Sequence, residues 1–268
     1  MKILVFIIFI LIIIFFSIPF LWLYLSAFDK EASAFIKLPN FTLSNFIEAF
    51  KEYNFTRYLI NSSFVATITM LLTVLIVAIS AYSISRIKWR YKNSLLYSLL
   101  LLHSIPLSTT MVPIYGIMRT LHLRNSYLGL ILVYTAMQLP FLIWLMKGFF
   151  DTIPEELEEA SWIDGCTSLK ALFKVILPIS LPGILVVSAL SFLGAWGESM
   201  LILILVDSEK MKTVPLVFYE AIRTVGGYME VRYELVSSFA ILFQIPVVIL
   251  FILSRKLLAT SIVPGVER

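Results

Sequence analysis

Six long runs of apolar residues follow one another along the chain, separated by short segments that hold nearly all of its charge. Five runs contain no Asp, Glu, Lys or Arg, although one of these five holds His103, and the sixth holds only Glu198. Each run exceeds the roughly 18 to 20 residues that a helix needs to cross about 30 Å of hydrocarbon. Because a helix satisfies its own backbone in lipid, the pattern predicts six transmembrane helices. The runs are residues 3–28, 58–85, 93–118, 125–146, 175–206 and 235–254.

Proline interrupts these runs repeatedly, which predicts kinked helices. Each proline removes a backbone hydrogen bond, and membrane helices tolerate this loss where neighbouring helices compensate for it. Kinked helices suit a bundle that encloses a pathway. The prolines concerned are Pro19, Pro106, Pro113, Pro140, Pro178, Pro182 and Pro246.

The apolar runs and the polar segments between them predict two parts of the chain. Residues 1–56 are expected to form the first transmembrane helix and an outer loop, and residues 57–268 a core of five transmembrane helices. The first apolar run is about twice as long as the roughly 7 to 15 residues typical of a signal peptide, so an uncleaved span is favoured over a cleaved leader. A short helix is expected around residues 216–223 in the last outer loop.

Composition and charge place the chain in a membrane. It has 268 residues, of which 60% are hydrophobic and 14% charged, whereas soluble domains are usually about a quarter charged. The net charge of +4 does not indicate nucleic-acid binding, because the basic residues lie at the ends of the apolar runs. The loop at residues 86–92 holds four bases and no acid, so it is predicted to be cytoplasmic. Both termini of this multi-pass cell-membrane protein are then cytoplasmic too.

One charged segment, residues 151–178, predicts a short helix at the inner membrane surface between spans four and five. Pro154 suits a first helical turn, with Asp151 or Thr152 as cap. Gly165 is a natural stop. Acids favour the positive end of a helix, and four of them crowd the first half: Glu155, Glu156, Glu158 and Glu159.

The spacing within this segment resembles the EAA loop of ATP-binding-cassette (ABC) importer permeases. Glu159-Ala160-Ser161 is followed by three residues, Gly165, nine residues and then Val-Ile-Leu-Pro at 175–178. Ser and Val replace the Ala at 161 and the Ile at 175 of the family pattern. Other motifs resemble the carbohydrate-uptake branch, in particular the maltose-transporter G type. They are Asn61-Ser62, Ala81-Tyr82 with Arg86, Met111-Val-Pro113, Gly129-Leu130, Leu139-Pro-Phe141, Lys147-Gly-Phe-Phe150 and Thr213-Val-Pro215. The terminal Pro264-Gly265 departs from that branch.

The resemblance implies that the short helix docks in a cleft of a separate ATPase and couples the ATPase to the spans. The coupling residues so implied are Glu158, Glu159, Ala160, Ser161, Asp164, Gly165, Leu177 and Pro178. It also implies four kinds of partner: a second homologous permease subunit, two copies of the ATPase with ATP and Mg, an extracellular or periplasmic solute-binding protein, and the membrane. No phosphate-binding G-x-x-x-x-G-K-[ST] loop occurs in this chain, so ATP hydrolysis is expected on the partner.

The expected function is therefore that of a permease subunit in a binding-protein-dependent importer that works by alternating access. The expected cargo is a sugar or oligosaccharide. The alternative is the same architecture importing a non-sugar solute such as a glycerol phosphate or a polyamine. An intramembrane enzyme is a third possibility, but it would need paired Asp, or Ser with His, at matching depth. The only carboxylate and the only imidazole in the runs are Glu198 and His103, so this possibility is disfavoured.

Glu198 is the one carboxylate inside a predicted span. Such groups are costly in lipid and usually face a cavity or a partner, so both pathway lining and a structural hydrogen bond are open. Gln138 and the neighbours Trp196 and Ser199 are further candidates for the pathway. His103 and His122 have no companion ligands in sequence, so no metal site is expected.

Overall fold

The computed structural model describes the backbone of residues 2–220, 222–225 and 228–261, and the side chains of residues 4–218 and 231–255. The Pro264-Gly265 pair lies outside these ranges. Within them the chain is overwhelmingly helical. The α-helices are α1 (Lys2–Ala27), α2 (Ser44–Lys51), α3 (Phe55–Arg86), α4 (Lys92–His103), α5 (Leu107–Thr120), α6 (Tyr127–Phe150), α7 (Glu156–Ile163), α8 (Ser168–Ala171), α9 (Leu177–Ile179), α10 (Leu181–Trp196), α11 (Met200–Leu205), α12 (Val214–Glu220) and α13 (Tyr233–Ser261). A π-helix (Leu172–Ile176), a 3₁₀-helix (Glu209–Met211) and two short strands complete the described elements.

Four helices are long and apolar enough to cross a membrane, namely α1, α3, α6 and α13. Each coincides with one of the predicted runs. The other two runs appear as bent pairs of helices, with a bend of 92° between α4 and α5 and of 86° between Ser168–Ile179 and α10. The described part of the chain thus holds four spans, or up to six if each bent pair is one span.

Both sharp bends lie at prolines that the sequence marks. Pro106 precedes α5 with φ −58° and ψ 135°, and because it has no N–H it cannot continue the hydrogen bonding of α4. Pro182 lies in the first turn of α10, directly after the break at Ser180. By contrast, Pro113 and Pro140 lie inside continuous helices. Both bends thus lie at prolines, but the sequence does not show which prolines end a helix and which lie inside one.

The chain divides into two compact units, and the first comprises residues up to Ile60 with Lys212–Val247. Phe239 is fully buried. Its ring stacks on Phe55 at 5.3 Å between centroids and meets Tyr53 edge-on at 5.5 Å. The guanidinium of Arg232 binds the carboxylates of Glu48 and Glu234. The hydrogen bond to Glu48 is the largest cause that raises the pKa of Arg232 above its ordinary value.

Asn45 closes the loop that follows α1 within this unit. Its side-chain amide donates to the carbonyl oxygens of Ala27 (3.0 Å) and Asp29 (2.8 Å). The buried Asp29 carboxylate forms an ion pair with Lys37 at 3.0 Å and accepts hydrogen bonds from two backbone amides. Burial tends to raise the pKa of Asp29, but Lys37 and these amides outweigh it and hold the pKa below its ordinary value. A loop without regular structure is thereby fixed to the end of α1.

The short helix expected around residues 216–223 is present as α12, but it begins and ends earlier and a pair of strands follows it. Helix α12 ends at Glu220, and strands β1 (Ile222–Val225) and β2 (Tyr228–Val231) pair antiparallel with Val225 opposite Tyr228. The two residues between the strands, Gly226 and Gly227, lie outside the described ranges. A two-residue Gly-Gly connection is a typical hairpin signal, and it competes with continuation of the helix.

The second unit comprises Asn61–Met211 and the chain from Val248. Its core lies where α6 packs against α3, α10 and the π-helix. Gly183 lets α10 approach α6 closely, because a Cβ atom there would fall 2.6 to 3.0 Å from the Phe149 side chain. The buried residues of this core include Val77, Ala81, Leu142, Met146, Phe150, Leu172, Ile176 and Val187.

Candidate functional site

The charged segment at residues 151–178 folds as a short helix between two tight connections. Helix α7 begins at Glu156, two residues after Pro154, and its N-cap Glu155 makes no side-chain capping bond. The expected caps Asp151 and Thr152 lie before the helix, and Asp151 ends α6 instead. The helix has eight residues, in keeping with the short helix that the sequence predicts.

Gly165 ends α7 in a left-handed turn. Its φ is +79°, a conformation that costs residues with a Cβ atom about 1–2 kcal/mol. The amides of Gly165 and Cys166 donate to the carbonyl oxygens of Trp162 and Ser161, both at 3.0 Å. This is the pair of bonds that defines a Schellman motif. No heavy atom lies within 4 Å of a Cβ atom built at this glycine, so the backbone conformation, and not crowding, accounts for it.

The inner face of α7 carries a buried charge. Glu158 is 1% exposed, although a helix so rich in acids would be expected to keep them in water. Its carboxylate binds Nε of Arg86 with one oxygen and accepts a hydrogen bond from the Tyr82 hydroxyl with the other, at 2.9 Å. The Ser161 hydroxyl donates to the Glu158 carbonyl at 2.7 Å. Glu158 and Ser161, two of the predicted coupling residues, thus face the body of the unit.

Arg86 holds more than the carboxylate of Glu158. Its two terminal nitrogens donate to the carbonyl oxygens of Phe150 (3.3 Å) and Ile153 (3.2 Å). One guanidinium therefore joins the end of α3, the end of α6, the connection and α7. Its planar arrangement of donors suits such multiple binding.

A second polar contact reinforces this junction. The Ser85 hydroxyl donates to the Asp151 carboxylate at 2.7 Å, and Lys147 forms an ion pair with the same carboxylate. Burial tends to raise the pKa of Asp151, but the bonds from Lys147 and Ser85 outweigh it and lower the pKa. The carboxylate consequently stays charged at neutral pH and keeps both contacts.

The other face of α7 is exposed among the described residues and mixes apolar, small and acidic groups. Ile163 is 88% exposed, and Leu157 and Trp162 are each more than 40% exposed. The remaining predicted coupling residues of this helix and its turn are also exposed: Glu159, Ala160, Asp164 and Gly165. Large apolar side chains beside a small alanine on a solvent-exposed helix form the kind of surface that binds another protein.

The last predicted coupling residues lie beyond a π-helix. The π-helix covers Leu172–Ile176, and α9 follows with Leu177 half-buried and Pro178 exposed. Pi-helical turns occur frequently at functional sites. Leu172 and Ile176 are fully buried in the core of the second unit. The segment between α7 and Pro178 is therefore packed into that core.

A cavity of about 270 Å³ contains two of the pathway candidates, Gln138 and Glu198. His103 and Tyr134 also line it. The side-chain oxygen of Gln138 is buried there without a hydrogen-bond partner among the described residues. Trp196 is buried and stacks on Phe192 at 5.6 Å. It is not among the residues that line this cavity, and neither is Ser199.

Glu198 also shapes the backbone around it. The helical run predicted at 175–206 breaks after Trp196, and α11 begins at Met200. The Glu198 carboxylate accepts from the amides of Met200 (2.9 Å) and Leu201 (3.0 Å) at the start of α11. These are the first N–H groups of a helix, which lack intrahelical partners. Both readings that the sequence left open therefore have a contact to support them.

Arg86 and Tyr82 were not predicted as members of the site. They lie 72 and 76 residues before Glu158, and no local pattern links them to it. The available signal was an arginine at the end of an apolar run, preceded by a tyrosine four residues earlier. Side chains four residues apart lie on one helix face, so this pair could have indicated a buried carboxylate partner.

The sequence is similar to those of known transport proteins. Residues 74–268 match the family model described as binding-protein-dependent transport system inner membrane component. The chain is 32% identical over 252 residues to the sulfoquinovosyl glycerol transport system permease protein SmoH of Agrobacterium fabrum, covering 92% of this chain and 87% of that one. It is 29% identical to the trehalose/maltose transport system permease protein MalG of Thermococcus litoralis, covering 92% and 90%.

A solved structure shares the fold. The chain superposes with a TM-score of 0.79 on a chain of a bacterial ABC transporter involved in the import of the acidic polysaccharide alginate. The match covers 95% of this chain and 96% of that one at 19% identity. At this identity the likeness extends to the fold alone.

Proposed function

Because the chain belongs to the family of binding-protein-dependent transport system inner membrane components, we propose that it is the transmembrane permease subunit of an ATP-driven importer for a sugar or oligosaccharide. Membership makes it a multi-pass, non-catalytic membrane subunit of an ABC transporter. The cargo is inferred from relatives named for the transport of sulfoquinovosyl glycerol, diacetylchitobiose, trehalose/maltose and galactooligosaccharides.

The single observation that carries the mechanism is the two-faced construction of α7. One face is anchored through Glu158 and Arg86 to the ends of α3 and α6, and the other presents Leu157, Ala160 and Ile163 to solvent. We propose that the exposed face docks on a separate ATPase that binds ATP and Mg. Closure of two such ATPase subunits would then move α7 and change access to the pathway. ATP drives this change only if it binds the two states unequally.

The proposed arrangement has six spans, counting each bent pair as one, with both termini and α7 in the cytoplasm. The loop at residues 86–92, rich in lysine and arginine, supports this orientation. The complex contains a second homologous permease and a solute-binding protein outside the cell. We place Glu198 and Gln138 on the pathway because they share a cavity, with Ser199 and Trp196 in the same region.

The test is substrate-dependent ATP hydrolysis by the whole complex in proteoliposomes, with the solute-binding protein inside or outside the vesicle. The binding protein is loaded in turn with diacetylchitobiose, maltose and galactooligosaccharides. We expect at least one of these sugars to stimulate both ATP hydrolysis and uptake. Stimulation only by glycerol 3-phosphate or spermidine would reassign the cargo and leave the permease role intact. Gly165→Asp is the matched control, because it disturbs the turn of α7 and should release the ATPase while the chain stays inserted.

A further inference from the structure

Burying the ion pair between Arg86 and Glu158 costs desolvation free energy, which is unexpected if the pair only holds two segments together. The side chains are 16% and 2% exposed, respectively. Removing two charges from water carries a penalty that the attraction between them often fails to repay, and apolar replacements of such pairs are often neutral or stabilising. Apolar packing could therefore hold α7 in place at least as well, so stability does not account for the pair.

The pair does provide directional rigidity. Both carboxylate oxygens of Glu158 are engaged, one by Arg86 and one by the Tyr82 hydroxyl. The same guanidinium binds the carbonyl oxygens of Phe150 and Ile153. Charge-assisted bonds in a fixed planar arrangement resist both sliding and rotation, whereas apolar contacts are non-directional. Helix α7 cannot tilt against α3 without straining the two bonds that Glu158 makes with Arg86 and Tyr82.

A nearby pair joins the same two segments without these properties. Lys88 and Glu155 lie 3.8 Å apart, and their side chains are 88% and 52% exposed. Such surface pairs are screened by water and salt and contribute little. The chain thus offers a weak ion pair beside the buried one as a natural comparison.

We propose that the Arg86–Glu158 pair is a strut that makes α7 and the inner end of α3 move as one rigid body, so that displacement of α7 reaches a transmembrane helix without loss. Arg86, Glu158 and Tyr82 are then positioning residues for transport. The inference rests on the proposed docking of α7 to the ATPase. It adds that movement of α7 passes through the ion pair to α3.

The decisive variant replaces both charges with apolar side chains of similar size, Arg86→Met with Glu158→Leu. Since such replacement of a buried pair is often neutral for stability, we expect normal yield of the complex and normal ATPase recruitment. Solute imported per ATP hydrolysed should nevertheless fall several-fold. The matched control, Lys88→Met with Glu155→Leu, should keep the wild-type ratio. A wild-type ratio in the Arg86/Glu158 double variant overturns the strut.

A distance measurement tests rigidity without knowledge of the cargo. Spin labels are placed on the native Cys166, after α7, and on Ile87→Cys, after α3, in the complex with its ATPase. We expect one distance distribution in the nucleotide-free and vanadate-trapped states, and a shift or broadening on trapping in the Arg86/Glu158 double variant. A shift in the otherwise unsubstituted complex would contradict rigid coupling.

Two further outcomes separate the hypotheses. If the double variant fails to assemble, Glu158→Gln, which keeps the side-chain shape, is measured in the same two assays and is held to the same expectations. If the unsubstituted complex neither recruits an ATPase nor hydrolyses ATP, the proposed function fails as well. Recruitment and transport with an unchanged ratio in the variants would refute the strut alone.

Discussion

At the scale of the residue, burial separates two acids that are neighbours in sequence. Glu158 is buried against Arg86 and Tyr82, whereas Glu159, the next residue of α7, is exposed. The sequence presents them as members of one acidic cluster, and only the helical turn distributes them to different faces. One acid is thereby available to this chain and the other to a partner.

Substitutions of Glu198 test whether one carboxylate both caps the first amides of α11 and lines the transport pathway. Glu198→Leu should destabilise the complex by about 1–3 kcal/mol, because the first amides of α11 lose their acceptor. Glu198→Gln keeps one oxygen acceptor, so it should preserve stability and alter the uptake rate. Thermal unfolding and uptake of both variants check this. Ser199→Ala is the control for stability alone, because Ser199 makes no capping bond. Wild-type stability of Glu198→Leu would exclude the capping role.

Gly165 provides a prediction that depends on backbone conformation alone. Gly165→Ala should destabilise the turn by about 1–2 kcal/mol, since a Cβ atom disfavours a positive φ. Gly116→Ala is the control: this glycine lies within α5, also has open space around its Cβ position, and should be stabilised by about 0.5–1 kcal/mol. Scanning calorimetry of the purified complex measures both. Equal effects from the two substitutions would show that the left-handed turn is not what the alanine disturbs.

At the scale of the element, the apolar runs predicted helices well. An apolar run long enough to cross a bilayer satisfies its backbone hydrogen bonds there as a helix and in few other ways. Helices α1, α3, α6 and α13 follow directly from it. The 92° and 86° bends did not, because a proline only removes a bond, while packing decides whether the helix continues, as at Pro140, or ends, as before Pro106. The Arg86–Glu158 contact was equally beyond local pattern, since it depends on how α3 and α7 pack.

Asn45 allows a test of how the loop after α1 is held. Asn45→Ala removes both donors to the carbonyl oxygens of Ala27 and Asp29, at a cost of about 1–3 kcal/mol. We expect amide exchange in residues 27–45 to accelerate about tenfold or more, since 1.4 kcal/mol corresponds to a factor of ten. Glu52→Ala, on the exposed surface beyond α2, should leave exchange in this segment unchanged. Unaltered protection in Asn45→Ala would mean that other contacts fix the loop.

At the scale of the whole molecule, family membership and the described spans agree on a multi-pass membrane protein, and sidedness is the property to measure. Cys166 follows α7 and is half-buried, so a thiol reagent can reach it. It should react with a membrane-impermeant maleimide only from the cytoplasmic side.

The matching outer position is Asn40, which is exposed. A cysteine introduced there in a Cys166→Ser background should react only from outside. Labelling in intact cells and in inside-out vesicles distinguishes the two sides. Reaction of Cys166 in intact cells would overturn the six-span arrangement with both termini inside.

Helix α1 bears on how natural selection acts on this sequence. Every residue from Leu4 to Leu21 is exposed among the described residues, so the described part of the chain constrains the shape of those side chains little. A further constraint would come from whatever surrounds the helix. Lipid would require only hydropathy and length, so Leu, Ile, Phe and Val should be interchangeable at every position. A neighbouring subunit would instead impose intolerance repeating every three to four residues. The pattern of tolerated substitutions along α1 therefore records whether this helix has evolved against lipid or against protein.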